Sequence, residues 1–350
     1  EIASCLVGSE MCIRDSFRSP PVPQAALRAS LLALCAALLT ACASSPSARP
    51  ATPLPMVIAH RGGTADAPEN TLEAIRLAIE HRADALWLTV QLSRDGVPVL
   101  YRPADLSALT DARGPVASHT AAELARVNAG WTFQRPGTGN KDKGNDSSSS
   151  SSDTNNYPYR NHPTGIPTLR EALRAIPPGM PVILDMKALP AAPQTQAVAR
   201  VLTEEQAWPR VVIYSTEADY QQSFAAYPQA RLFESRDATR LRLLQVSLGA
   251  GCIEPPAASA WTAFELHRKV TVTEKFTLGE GRSEIDATLW SPESVACFRQ
   301  RSPQVRIVAI AVNNAADYEA AARLGVDAVL ADSPATMAVI RANPVGEQPK

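Results

Sequence analysis

The chain has 350 residues, of which 45% are hydrophobic and 20% charged, and its formal net charge is −1. That length holds one large or two medium globular domains, and a near-neutral balance gives no support for nucleic-acid binding, which favours a basic patch or stripe. Aromatic residues make up 5%, too few for a base-stacking surface.

Residues 1–17, "EIASCLVGSEMCIRDSF", carry no periodicity and read as an upstream or vector-derived segment. Over 18–41, Arg18 and Arg28 precede the apolar run "ASLLALCAALLTAC". The run is too short to span a bilayer and has the make-up of a secretory leader. Its end, Leu39-Thr40-Ala41-Cys42, resembles a bacterial lipobox, in which Cys42 becomes the lipidated first residue. Residues 42–55 then form a polar tether, and Ala43 fits sorting to the outer membrane. A plain signal peptide cut near Ala43 is the competing reading. The expectation is an exported, lipid-anchored protein of the cell envelope. There Cys252 and Cys297 either pair or lie buried separately.

From Met56 onward, short apolar strands alternate with amphipathic helices. Strands are predicted at 56–60, 85–90, 97–101, 181–187, 210–215, 230–235, 261–266, 285–290, 305–312 and 328–331. Helical spacing marks 70–82, 120–128, 168–176, 194–206 and 315–325. Such alternation predicts an α/β fold with a parallel sheet, and its extent suits a single-domain (β/α)8 TIM barrel over 56–340, with 341–350 as a tail. A doubly wound open sheet is second, because no glycine-rich phosphate fingerprint follows the first strand. The Gly-, Ser- and Asn-rich stretch 134–165, with six consecutive serines, reads as a disordered insertion in a loop. In "ALWLTV", period-2 spacing sends Leu86, Leu88 and Val90 to one face and Trp87 and Thr89 to the other.

His60-Arg61-Gly62 ends the first strand, and Pro68-Glu69-Asn70-Thr71 opens the helix after it. In a barrel such strand ends form the active face. "AHRGGTADAPENTLEAI" resembles the opening signature of the glycerophosphodiester phosphodiesterase family. Further matches follow in order: Asp95-Gly96, Ile166-Pro167-Thr168-Leu169, Asp185-Met186-Lys187, Asn313 and "GVDAVLADSP". The resemblance covers 56–340 except the serine-rich stretch and much of 236–304. It implies a (β/α)8 barrel and metal-assisted hydrolysis of a small phosphodiester, with two histidines as acid and base and a divalent Ca²⁺ or Mg²⁺ held by carboxylates. Carried over, His60 is a catalytic histidine, Arg61 binds phosphate, Glu69 and Asp185 are metal ligands, and Lys187 accompanies Asp185.

The sequence departs from that pattern in its second strand, where Trp87 and Thr89 replace two metal carboxylates. Arg102 and Pro103 replace the second catalytic His-Asp. An arginine cannot shuttle protons near neutral pH, and tryptophan offers a metal no ligand. Arg61, Arg102 and Lys187 against Asp185 suit an anion better than Ca²⁺. His267 is the best candidate for a replacement acid/base, ahead of His119, and Glu265, Glu274 and Glu280 could supply oxygen ligands. Two functions follow: a phosphodiesterase of lipid metabolism with an altered site, or a non-catalytic envelope lipoprotein that binds a phosphorylated polyol or another anion.

Overall fold

The structure is a computed structural model and describes residues 53–134, 156–258 and 260–343. The predicted leader, the lipidation site Cys42, the serine run and the end of the tail lie outside the described residues.

Parallel staves buried on both faces need unbroken runs of branched and leucine residues, and such runs lie where the strands form. They are β1 (Met56–His60), β2 (Ala85–Leu92), β4 (Val182–Met186), β5 (Val211–Tyr214), β6 (Trp261–Glu265), β9 (Arg306–Ile310) and β10 (Ala328–Ala331). A short β3 (Pro98–Leu100) pairs antiparallel with the end of β2. The parallel order is β5-β4-β2-β1-β10-β9-β6. Between its edges runs 232–233, with single parallel bridges from Leu232 to Ile213 and from Phe233 to Trp261. The wall therefore curves round on itself and is compatible with the predicted (β/α)8 barrel, one stave being reduced to two bridges. Segment 230–235, expected as a full strand, is held mainly by the Phe233 N–H to Ile213 and the Glu234 N–H to Trp261.

The two faces of β2 divide as period-2 spacing requires. Leu86, Leu88 and Val90 pack with Ile75, Leu173 and Val198 of the surrounding helices. Trp87 enters a second cluster inside the wall with Ile58, Ile183, Tyr214 and Phe233.

Three expectations are corrected. Residues 285–290 do not form a stave. Residues 285–287 belong instead to a hairpin of β7 (Arg268–Phe276) and β8 (Gly279–Ala287) that follows β6. The alternating "KVTVTEKF" suits such a solvent-facing antiparallel ribbon, not a doubly buried strand. The flank 156–165 of the predicted disordered stretch holds a 3-10 turn, Pro158–Arg160, because Arg160 stacks on Tyr157 at 3.7 Å and on Trp131 at 4.7 Å. The helix predicted at 120–128 stops after Leu124, within one capped turn (Ala121–Leu124).

Cys252 and Cys297 are bonded and join the loop after helix Arg236–Ser247 to helix Pro292–Arg299, across 45 residues of sequence. Restricting a loop of that length in the unfolded chain stabilises a fold by about 2–4 kcal/mol. Cys297→Ala is expected to lower the urea unfolding free energy by that amount. An unchanged midpoint would show that the bond constrains nothing.

Candidate active site

The site is built where β1 ends. After His60 the chain passes through Arg61, Gly62 and Gly63 with φ of 51°, 83° and 104°. This left-handed region suits glycine and strains arginine. A side chain would not fit at either glycine: a Cβ on Gly62 would lie 2.9 Å from Ala74 Cβ, and one on Gly63 2.9 Å from Pro334 Cδ. The turn folds Arg61 back so that its guanidinium donates to Glu69 Oε2 at 2.6 Å. Asn70 accepts from the Thr89 N–H at 2.8 Å, and Thr71 caps helix Leu72–Glu80. The exit loop of β1 is thereby fastened to β2.

His60 Nδ1 lies 2.6 Å from Oδ1 of Asp332, the first residue after β10. Asn313, beyond β9, donates to Asp332 Oδ2 at 2.8 Å and accepts from the Asp332 N–H at 2.7 Å. The hydrogen bond from His60 holds the Asp332 carboxyl below the usual aspartate range, against the opposing effect of burial. An ionised acceptor at Nδ1 fixes the ring proton there and leaves Nε2 free to accept a proton.

Across the mouth, Lys187 Nζ lies 3.0 Å from Asp185 Oδ1. Burial pushes the Asp185 carboxyl up, while Lys187, Arg61 and the Trp87 indole favour its ionised form. Trp87 is 3% exposed and packs on Tyr214 at 4.6 Å and on Phe233 at 5.6 Å. Thr89 is fully buried and its hydroxyl has no hydrogen-bond partner.

His60, Arg61, Glu69, Asp185 and Lys187 thus share the C-terminal rim of the sheet, where parallel barrels carry their chemistry. The other sequence candidates are placed differently. Arg102 is exposed and makes no ion pair among the described residues; its carbonyl accepts from Gln91. His267 is half-exposed at the foot of the hairpin, with Nδ1 at 2.9 Å from Thr288 Oγ1 and Nε2 at 3.1 Å from Asp317 Oδ1. Both of its nitrogens have polar partners. His119 is half-buried, and its Nδ1 lies 3.1 Å from the Pro115 carbonyl. Glu265 is taken by Arg236, at 2.7 Å to Oε2, and Glu274 and Glu280 stand on the exposed hairpin. Sequence reasoning did not give Asp332 a role or find Arg236. Asp332 directly follows a buried strand, and that position was the available signal.

A divalent cation does not suit these residues. Hard cations take six or more oxygens, whereas Glu69 and Asp185 each already hold one of the chain's own cations, Arg61 and Lys187. Two carboxylates against two cations leave the cluster neutral, and a metal would have to displace both. Glu69 Oε1 and Thr89 Oγ1 lack hydrogen-bond partners, as does the amide donor Asn70 Nδ2, while Asp185 Oδ1 faces Lys187 Nζ. Among the described residues no group of three or more His, Cys, Asp or Glu is placed to hold a metal. Addition of Ca²⁺, Mg²⁺ or EDTA is therefore expected to move the melting temperature by less than about 1 °C. Specific metal binding at a hundred times Kd would add about 2.7 kcal/mol, a shift easily seen.

A parallel barrel-like wall with an imidazole, a guanidinium and an ammonium at its C-terminal rim defines an α/β protein of barrel type. The model of the glycerophosphoryl diester phosphodiesterase family matches residues 60–336, and the chain belongs to that family. It is 46% identical over 280 residues to the uncharacterized protein Rv2277c of Mycobacterium tuberculosis, covering 80% of this chain and 87% of that one. The crystal structure of the glycerophosphoryl diester phosphodiesterase domain of Rv2277c superposes with a TM-score of 0.72 at 45% identity, over 82% of this chain and 99% of that one. An Oleispira antarctica phosphodiesterase, solved with its product sn-glycerol-3-phosphate, shares the fold with a TM-score of 0.57 at 22% identity, over 83% and 98% of the two chains.

Proposed function

We propose that this chain is a phosphodiesterase-like protein acting on a small phosphodiester of a polyol, with His60 as its single proton-transfer group and no divalent cation. The observation that carries the reading is the His60–Asp332 pair, standing on the same rim as Arg61 and Lys187. Arg61 and Lys187 offset charge on the phosphoryl oxygens. His60 Nε2 takes a proton from the attacking water as its oxygen bonds to phosphorus and the P–O bond to the leaving alcohol breaks, so that water and diester give a phosphomonoester and an alcohol. In-line displacement puts the leaving alcohol on the opposite side, where no second imidazole stands, so solvent protonates it. Each positioned acid or base is worth about 10²- to 10⁴-fold, and turnover slower by about that factor than with two is expected. A second reading, binding without hydrolysis, is favoured by Trp87, whose indole fills the wall beside Asp185.

The same proposal places the protein in the cell envelope, lipid-anchored through Cys42. It is supported by the Leu39-Thr40-Ala41-Cys42 sequence and by the Cys252–Cys297 bond, which an oxidising compartment favours. The test of function is hydrolysis of glycerophosphocholine by purified protein, alongside melting shifts with sn-glycerol 3-phosphate. Turnover supports the hydrolase. Stabilisation without turnover leaves the binding reading, and neither response sinks both.

A further inference from the structure

The staves are parallel, so their N-terminal ends share one face, opposite the active rim, and the helix-to-strand loops lie on it. Along the neighbouring staves β9, β10, β1 and β2 this face carries Arg82, Arg299, Arg301, Arg306, Arg323 and Arg341. The carboxylates among them are turned into the fold. Asp84 accepts from the Val57 N–H and from Arg341. Asp327 accepts from the Ile307 N–H, Arg299 and Arg306. Arg323 lies 3.5 Å from the half-buried Glu319, and Glu80 is held by Arg76. Arg82 and Arg301 are exposed and make no ion pair among the described residues. Glu254, before β6, is the one exposed carboxylate among the described residues of these loops. Arg299, Arg323 and Arg341 stand in the last turns of their helices, where helix dipoles favour them. Arg82, Arg301 and Arg306 lie beyond any helix, so the dipoles do not account for them. Apolar side chains are exposed on the same face: Leu54 by 55%, Leu248 by 82% and Ile253 by 58%. The loop of Leu248 and Ile253 leads into β6, the neighbour of β9, and the Cys252–Cys297 bond fastens it to helix Pro292–Arg299.

We propose that this face docks on the surface of a bilayer carrying anionic phospholipid, with the arginines on the phosphates and Leu54, Leu248 and Ile253 among the headgroups. Charge complementarity is one argument, and the entry of the chain is the other. The Tyr318 hydroxyl donates to the Pro55 carbonyl at 2.8 Å, and the Met56 N–H donates to the Asp327 carbonyl at 3.0 Å. The chain therefore joins β1 in the middle of the arginine arc, and the residues before it, Cys42 among them, are attached at this face. Acylation at Cys42 and docking of the arc favour the same orientation, although each stands without the other. A nucleic-acid backbone would use the arginines but leave the exposed leucines and isoleucine in water. Docked on the arc, the barrel turns the rim of His60, Arg61 and Lys187 away from the membrane. Its ligand then arrives from the aqueous side and not from the leaflet beneath.

The test is co-sedimentation of the full-length Cys42→Ala protein, which lacks the thiol for acylation, with vesicles of phosphatidylcholine alone or with about one third phosphatidylglycerol. Anionic vesicles are expected to bind about 10²-fold more tightly, each exposed arginine near the surface adding about five-fold. The gain should vanish near 1 M salt, where the Debye length is about 3 Å. Arg82→Gln, Arg301→Gln and Arg323→Gln together should bring the two vesicles within about five-fold of each other. Arg94→Gln, Arg113→Gln and Arg126→Gln remove the same charge from the connection that leaves the C-terminal end of β2, and should keep the preference. All six arginines are exposed, so unchanged urea midpoints are expected for both variants and check their folding. Leu248→Trp should move its emission to the blue on addition of anionic vesicles, and Leu278→Trp, at the fully exposed tip of the hairpin, should not. Equal binding to both vesicles, a preference that survives the first triple substitution or is lost with the second, or a blue shift confined to Leu278→Trp would each overturn the docking face. None of these outcomes touches the phosphodiester reading, which stands on the opposite rim.

Discussion

His60→Ala is expected to lower kcat for glycerophosphodiester hydrolysis by about 10²- to 10⁴-fold while leaving the melting temperature within about 2 °C of the wild type. The two effects separate because the imidazole lies at the rim, with a quarter of its side chain exposed, and its loss leaves no core cavity. Asp332 also keeps its two hydrogen bonds with Asn313. Asp332→Asn tests the same assignment from the other side. Asparagine can donate to Nδ1, and the ring proton then moves to Nε2, where an acceptor is needed. A fall in kcat of about ten-fold or more at unchanged KM is expected, with glycerol phosphate binding retained. Stability supplies a readout that catalysis does not. The Asp332 carboxyl is held below its ordinary range in the fold, so its stabilising effect is full above the unfolded value near 3.9 and fades as pH falls through the lowered one. Wild type should therefore exceed Asp332→Asn in urea melts at pH 7, and the gap should close as the pH falls below the ordinary aspartate range. Wild-type turnover by His60→Ala would remove His60 from the chemistry.

Much of this arrangement was legible in the chain, and the exceptions have physical causes. Staves such as "ALWLTV" announce themselves because both faces are buried, and period-2 spacing correctly sent Trp87 inward and Leu86 and Leu88 outward. Residues at the ends of β1 and β4 were found because strand ends converge on one rim. Arg102 came from the resemblance and not from that rule; it follows β3, which runs antiparallel to β2, and is exposed. His267 follows a true stave, but the hairpin begins one residue later, and Thr288 and Asp317 occupy its ring. The charge clusters were partly visible: Asp185 and Lys187, two apart, meet across one strand end. The His60–Asp332 contact spans 272 residues and depends on the β1–β10 register, which local spacing does not encode. The least legible stretch was 236–304, where the resemblance also faded.

That stretch is held by a charge pair, and Glu234→Gln is expected to destabilise the fold by about 3–5 kcal/mol, measured by urea unfolding. Arg242 is 7% exposed on helix Arg236–Ser247, and its guanidinium meets both Glu234 oxygens, at 2.7 and 2.8 Å. Its Nε donates to the Glu254 carbonyl, and its plane lies 4.9 Å from the centre of the Phe298 ring. One side chain thus joins the reduced stave at 232–234, its helix, the loop that carries Cys252, and the helix that carries Cys297. Glutamine keeps the shape and one acceptor, so the change removes charge rather than volume. The uncompensated guanidinium then dominates, because an unpaired buried charge loses far more than one hydrogen bond. The same logic predicts the sign of the coupling. Glu234→Leu with Arg242→Met removes both charges and should recover most of the loss, giving a double-mutant coupling well above the 0.5 kcal/mol seen between independent sites. The effect should also reach the mouth. Arg236, in the first turn of this helix, hydrogen-bonds to Tyr214 on β5 and to Glu265 on β6, the two edge staves that flank 232–233, so loosening the helix frees a cation at the rim. A loss below about 1 kcal/mol for Glu234→Gln would mean that water reaches Arg242 and that the disulfide alone fastens this side of the wall.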